Sequence, residues 1–198
     1  MKIGLFGGTF DPIHVGHLMI AEEARERLGL DRVIFVPSGI SPHKNRLKIS
    51  SPESRLEMTR LGIDGNEHFE FSDFEVKRQS TSFTIETVSC FKNALGNEAE
   101  IFLVVGADSI LEISMWKEPQ RLVSACRPVV LNRPGFDLRK LEPWLRDRAL
   151  ILDGMLVGIS STDIRERVAT GRSIRYLVPP SVAAYVFDHR LYTGASKA

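Results

Sequence analysis

The 198-residue sequence predicts a single α/β domain in which a mostly parallel sheet carries helices on both faces. Three observations lead there. Short apolar, β-branched runs alternate with segments of helical spacing along the whole chain. No internal repeat or low-complexity linker interrupts the alternation. The length suffices for one continuous core without disulfides or a structural metal.

Strands are expected over 2–6, 32–37, 69–71, 100–105, 128–131 and 150–152, where β-branched and aromatic residues cluster. Helices are expected over 17–28, 52–63, 84–95, 108–114, 137–146, 162–169 and 181–189. The first of these opens on the amphipathic run Leu18 to Ala24. This order implies a Rossmann-like, doubly wound arrangement. The stretch from Pro37 to Ser51 lacks periodicity and is rich in turn and basic residues, so a loop is expected where α/β folds bind ligands, at the carboxyl end of a strand. After Tyr192 the chain is small and polar; the domain is expected to span 1–192, with 193–198 as a frayed tail.

Hydrophobic residues make up 43% and charged residues 26%, an ordinary globular balance, and no apolar run approaches the length of a membrane span. The chain passes from Met1 directly into a strand-like segment without a signal-peptide pattern, so a cytoplasmic location is expected. Lys plus Arg number 26 against 25 Asp plus Glu, which leaves no global basic field for long nucleic acid; any anion must be held locally. Cys90 and Cys126 lie far apart, with no metal or redox spacing, and read as reduced packing residues.

The chemistry begins at the first strand-to-helix turn, Gly7-Gly8-Thr9-Phe10-Asp11-Pro12-Ile13-His14-Val15-Gly16-His17. Glycines let a backbone approach a phosphate, and a helix start offers unpaired N–H groups and a positive dipole end. His14 and His17 are three residues apart, so they share a face if the helix begins by His14, both able to donate to phosphoryl oxygens. Gly16 is expected to leave room for the ligand. A zinc site lacks a third ligand of suitable spacing, and a Walker loop lacks its Gly-Lys-Ser/Thr ending. A second helix start follows at Gly158-Ile159-Ser160-Ser161-Thr162-Asp163-Ile164-Arg165, where hydroxyls cap the helix and a guanidinium stands one turn on.

Together these two blocks resemble the signature of the nucleotidyltransferase superfamily that contains the nicotinate- and nicotinamide-nucleotide adenylyltransferases. The resemblance implies ATP contacts from Gly7, Gly8, Thr9, Phe10, His14, His17, Ile159, Ser160, Ser161, Thr162 and Arg165. Two further segments are similar to the bacterial nicotinate-nucleotide adenylyltransferases. Gly106-Ala107-Asp108 with Trp116 implies a nucleotide contact from Gly106 and Asp108 and an aromatic face for the pyridine ring. Residues 77–85 resemble a Pro-Ser-Tyr-Thr segment, with Thr81 and Phe83 in place of the Pro and Tyr, and leave Ser82 and Thr84 as acceptor contacts. Ser41-Pro42-His43-Lys44 resembles Pro-Pro-His-Lys, making Lys44 a phosphate ligand; Arg46 and Lys48 read as solvated.

The implied reaction is attack by the phosphate of nicotinate mononucleotide on the α-phosphorus of ATP, giving nicotinate adenine dinucleotide and pyrophosphate in NAD biosynthesis. A phosphate monoester is already ionised near neutral pH, its second pKa being about 6, so no general base or covalent intermediate is needed. His14, His17, Lys44 and Arg165 are expected to neutralise charge. Mg2+ is expected to accompany ATP, held by phosphate oxygens and water, with no protein metal cluster. The expected partners are thus the two nucleotides, without nucleic acid or membrane. Nicotinamide mononucleotide or phosphopantetheine is the rival acceptor, and a non-catalytic nucleotide-sensing or RNA-binding module the rival class. Val182, Tyr185, Val186 and Phe187 suit the core and would equally suit a second copy of the chain.

Overall fold

The computed structural model describes residues 1–39, 49–78, 81–96, 98–131, 141–152 and 158–193, the side chains of Ala107, Asp108 and Leu131 excepted. Six strands form one sheet: β1 (Lys2–Gly8), β2 (Arg32–Pro37), β3 (Phe69–Phe71), β4 (Glu100–Gly106), β5 (Arg127–Leu131) and β6 (Leu150–Leu152). The spatial order is β3-β2-β1-β4-β5-β6 and all five pairings are parallel. The chain starts in the middle, winds out to one edge, then returns to pair β4 with β1. The strand order therefore reverses between β1 and β4, where the carboxyl ends of adjacent strands diverge into a crevice.

Among the described residues nine helices accompany the strands, seven between them and two after β6: α1 (Val15–Leu28), α2 (Pro52–Ile63), α3 (Phe74–Lys77), α4 (Thr84–Leu95), α5 (Ala107–Leu111), α6 (Pro119–Ala125), α7 (Pro143–Arg146), α8 (Ser161–Ala169) and α9 (Pro180–Asp188). The expected helix over 108–114 is instead split, α5 ending at Leu111 before a 3-10 turn at Ile113–Met115. Helices α3 and α6 escaped the sequence reading because four and seven residues are too few for a 3.6-residue period to declare itself. Of the expected helix over 137–146, the part that is described contains α7; residues 137–140 lie outside the described residues.

The strands read as continuous apolar runs because both faces of the sheet are covered. Phe6, Val33, Phe35, Phe102, Val104 and Val129 point into one core with residues of α1, α2, α8 and α9. Ile3, Leu5, Ile34, Val36, Ile101, Leu103, Val105 and Val130 point into the other, beneath α4, α5, α6 and α7. Each fully buried Ile, Leu or Phe contributes about 1.5–3 kcal/mol, so alternation along the strands holds both layers in place. Val182 and Val186 of α9 belong to the first core, whereas Phe187 is exposed. Both cysteines are free, and burial pushes the Cys126 thiol up to about 12, consistent with a packing role. No helix among the described residues is long and apolar enough to cross a membrane.

Candidate active site

Beyond β1 the backbone turns sharply at Phe10, whose φ of 49° lies in the left-handed region. That conformation is costly for a non-glycine residue and is held here by packing. The Phe10 ring meets Phe6 edge-on at 5.5 Å between centroids and His17 at 5.0 Å, and is 1% exposed. A Cβ on Gly8 would come within 2.8 Å of that ring, whereas one on Gly7 would meet nothing within 4 Å. The two glycines therefore differ: Gly8 makes room for Phe10, and only Gly7 leaves open space for a ligand.

His14 is the N-cap of α1, in extended conformation, and the helix begins one residue later. Its Nδ1 accepts from the His17 amide at 3.3 Å, and the His17 Nδ1 accepts from the His14 amide at 3.2 Å, a reciprocal capping box built from two imidazoles. With each Nδ1 an acceptor, the neutral rings carry their protons on Nε2. The rings stack 3.6 Å apart. Gly16 serves this pair rather than the ligand as expected: a Cβ there would lie 3.1 Å from the His14 Nδ1.

Helix α8 is fastened to the same turn. The Ser161 hydroxyl donates to the Pro12 carbonyl at 2.9 Å, and Arg165 Nη1 donates to the Asp11 carbonyl at 2.8 Å and Nη2 to the Thr162 hydroxyl at 3.2 Å. Ser160 caps the helix by accepting from the Asp163 amide. The Ser161 hydroxyl, expected as a phosphate donor, thus holds the Pro12 carbonyl, and the Ser160 hydroxyl serves as the cap; the amides of Ser161 and Thr162, first in the helix, have no intrahelical acceptor.

Two adjoining cavities open at the β1/β4 divergence. One is lined by Gly7, Gly8, Thr9, Phe10, Asp11, His14, His17, Gly106, Ser109, Ser160, Ser161, Thr162 and Arg165. The other lies beside α4 and is lined by Gly7, Gly8, Thr9, Ser38, Glu75, Ser82, Phe83, Thr84, Gly106, Ser109, Glu112, Trp116 and Lys117. Gly7, Gly8, Thr9, Gly106 and Ser109 border both, so contents of the two cavities would meet there. The start of α4 has no side-chain cap, its N-cap being Phe83.

The Cytidylyltransferase-like family profile matches residues 5–167. The "Probable nicotinate-nucleotide adenylyltransferase" of Moorella thermoacetica is 42% identical over 96% of this chain and 91% of its own length. That of Rubrobacter xylanophilus, described in the same words, is 43% identical over 97% and 92%. The chain belongs to the nicotinate-nucleotide adenylyltransferase family. Among solved structures, the Plasmodium falciparum nicotinic acid mononucleotide adenylyltransferase complexed with NaAD superposes with a TM-score of 0.79 over 96% of this chain and 97% of that one. At 20% identity, that likeness bears on the fold.

Most family residues expected from the sequence come together at the two cavities. Ile159 does not line them; it borders a separate cleft behind α8 and packs on the first core. Lys44, with the rest of 40–48, and the side chain of Asp108 lie outside the described residues. The sequence reading missed Arg55, Asp11 as a structural hub, Glu75 and Tyr192. Arg55 is 2% exposed and donates to the carbonyls of Thr9, Ser50 and Gly39 at 2.9–3.1 Å and to the Ser38 hydroxyl at 3.3 Å, joining the ends of β1 and β2 to α2. Burial lowers its pKa from the ordinary arginine value, with nearby Asp11 opposing. Glu75 is also buried; Thr87 donates to its Oε1 at 2.6 Å, and desolvation raises its pKa against that hydrogen bond. Neither residue stands in a motif, and no periodicity marks an arginine whose partners are loop carbonyls.

Proposed function

We propose that this chain transfers the adenylyl group of ATP to the phosphate of nicotinate mononucleotide, releasing pyrophosphate. The observation that carries the reading is the pair of cavities meeting at Gly7, Gly8, Thr9, Gly106 and Ser109. One is walled by a histidine pair, a guanidinium and two helix N-termini, the chemistry of a polyphosphate site. The other offers the Trp116 ring and the uncapped start of α4, suited to a flat aromatic acid. The shared border is where an acceptor phosphate oxygen would bond to the α-phosphorus while the bond to the β-phosphate oxygen breaks.

His14, His17 and Arg165 serve the triphosphate, their Nε2 and guanidinium donors acting on charge that shifts toward the leaving pyrophosphate. Thr9 and the Ser161 and Thr162 amides add neutral donors, and Lys44 is the further cation that the family resemblance implies. Ser82, Thr84 and Trp116 hold the acceptor. Because this donor set is cationic or neutral, a Mg2+ ion suits the site only as part of the ATP complex, on phosphate oxygens and water; bound there it would neutralise the polyphosphate. Among the described residues no group of three or more His, Cys, Asp or Glu could hold a metal by itself.

Pyrophosphate release with ATP and magnesium, offered nicotinate mononucleotide, nicotinamide mononucleotide or phosphopantetheine in parallel, tests the reading. Turnover with the first far above the others is expected. Preference for another acceptor would overturn the assignment of the Trp116 cavity, and silence with all three the activity itself.

A further inference from the structure

We propose that Lys117 sets the preference for an acceptor ring bearing a carboxylate over one bearing an uncharged amide. The proposal rests on the acceptor reading above. Lys117 follows Trp116 directly, so the aromatic wall and the ammonium-bearing stem are anchored on adjacent residues of one backbone segment. Among the described residues lining the acceptor cavity it is the only basic one, and the other charged side chains there, Glu75 and Glu112, are acidic. Without Lys117, the charged side chains of that described lining would all be acidic.

The ammonium stands beside the start of α4. Its Nζ lies 2.7 Å from Glu86 Oε1 in the first helical turn and 4.5 Å from the centroid of Phe83, the N-cap. A cation at a helix N-terminus is disfavoured by the dipole unless an anion accompanies it. Glu86 supplies that anion, and a ligand carboxylate at the uncapped amides of α4 would be a second. Glu86 is not dependent on Lys117 alone: Arg78 Nη1 approaches its other oxygen, Oε2, at 2.9 Å, as a charge contact without hydrogen-bond alignment. Lys117 and then Arg78 hold the Glu86 carboxyl below the usual range. When Lys117 turns to a ligand, Glu86 keeps a cation. The Lys117 side chain is 41% exposed, and its flexible four-carbon stem lets the charge swing without moving the backbone.

Initial rates with ATP and either nicotinate or nicotinamide mononucleotide, for the wild type, Lys117→Met and Lys117→Arg, test this, with thermal unfolding confirming that all three fold. The Met variant is expected to lose about 10-fold in kcat/KM for the nicotinate compound, mainly through KM, and less than about twofold for the nicotinamide compound. Lys117→Arg should retain the ratio within about threefold. A parallel fall with both acceptors would assign Lys117 to pocket shape, and an unchanged ratio would leave it no part in selectivity; either overturns the proposal while the acceptor reading stands. A wild type without preference for the nicotinate compound overturns both.

Discussion

The Tyr192 hydroxyl donates to Asp11 Oδ1 across 2.7 Å, closing a contact between residues 181 apart in sequence. Asp11 Oδ2 accepts from the Ser50 amide and the Asp11 carbonyl from Arg165, so one residue ties the β1–α1 turn to the start of α2, to α8 and to the chain's last described segment. Burial, with the Asp11 charge adding, raises the phenol's pKa, so it remains a donor at working pH.

Tyr192→Phe leaves a 1%-exposed carboxylate short of one donor. The expected loss is about 1–3 kcal/mol of stability by urea denaturation. A fall in kcat larger than the rise in ATP KM should accompany it, because Arg165 and the histidine turn hang on Asp11. A variant with unchanged midpoint and unchanged kcat would show that the contact positions nothing.

His14→Asn keeps a short side-chain acceptor at the N-cap while removing the Nε2 donor. Stability should therefore stay within about 1 kcal/mol of wild type. Turnover should drop by about 100-fold or more if the imidazole acts on charge in the transition state. Steady-state kinetics that show only a raised ATP KM would contradict that role.

Gly7 and Gly8 adjoin in sequence but should respond oppositely to alanine. Gly8→Ala forces a Cβ against the Phe10 ring at 2.8 Å and is expected to destabilise by about 1–3 kcal/mol. Gly7→Ala adds a methyl to open space between the cavities, so its melting temperature should hold while KM values for the nucleotides rise. Equal loss of stability in both would refute the division of labour.

Glu75 makes stability depend on pH. Burial raises its native pKa above the ordinary 4.5, so the native state binds this proton more tightly than the unfolded chain. The contribution is present in full below 4.5 and is lost as pH rises from there through the raised native value. Glu75→Gln removes that decline. Across pH 4 to 7, the stability of the wild type relative to the variant should fall; a difference that stays flat or rises means the carboxyl is not desolvated.

Much of this protein was legible before any coordinates. Six strands came out within two residues at each end, because each is an apolar run bounded by turns, and burial on both faces writes that run directly into composition. The two helix starts that line the first cavity were also legible, since a short motif holds its own glycine, cap and donors within one turn of chain. The short helices α3 and α6 were not, having no room to show a period.

Local sequence thus sufficed for the order of elements and for most residues that border the two cavities, since neighbours in sequence decide strand, turn and cap. It could not say what those residues do with their hydrogen bonds. That Gly8 and Gly16 yield space to Phe10 and His14, that the Ser161 hydroxyl holds Pro12, and that Arg55 and Tyr192 converge around Asp11 follow from contacts between distant segments. A buried donor bonds to whichever acceptor the packed chain brings within about 3 Å, and that partner is settled only when the sheet closes and the helices dock.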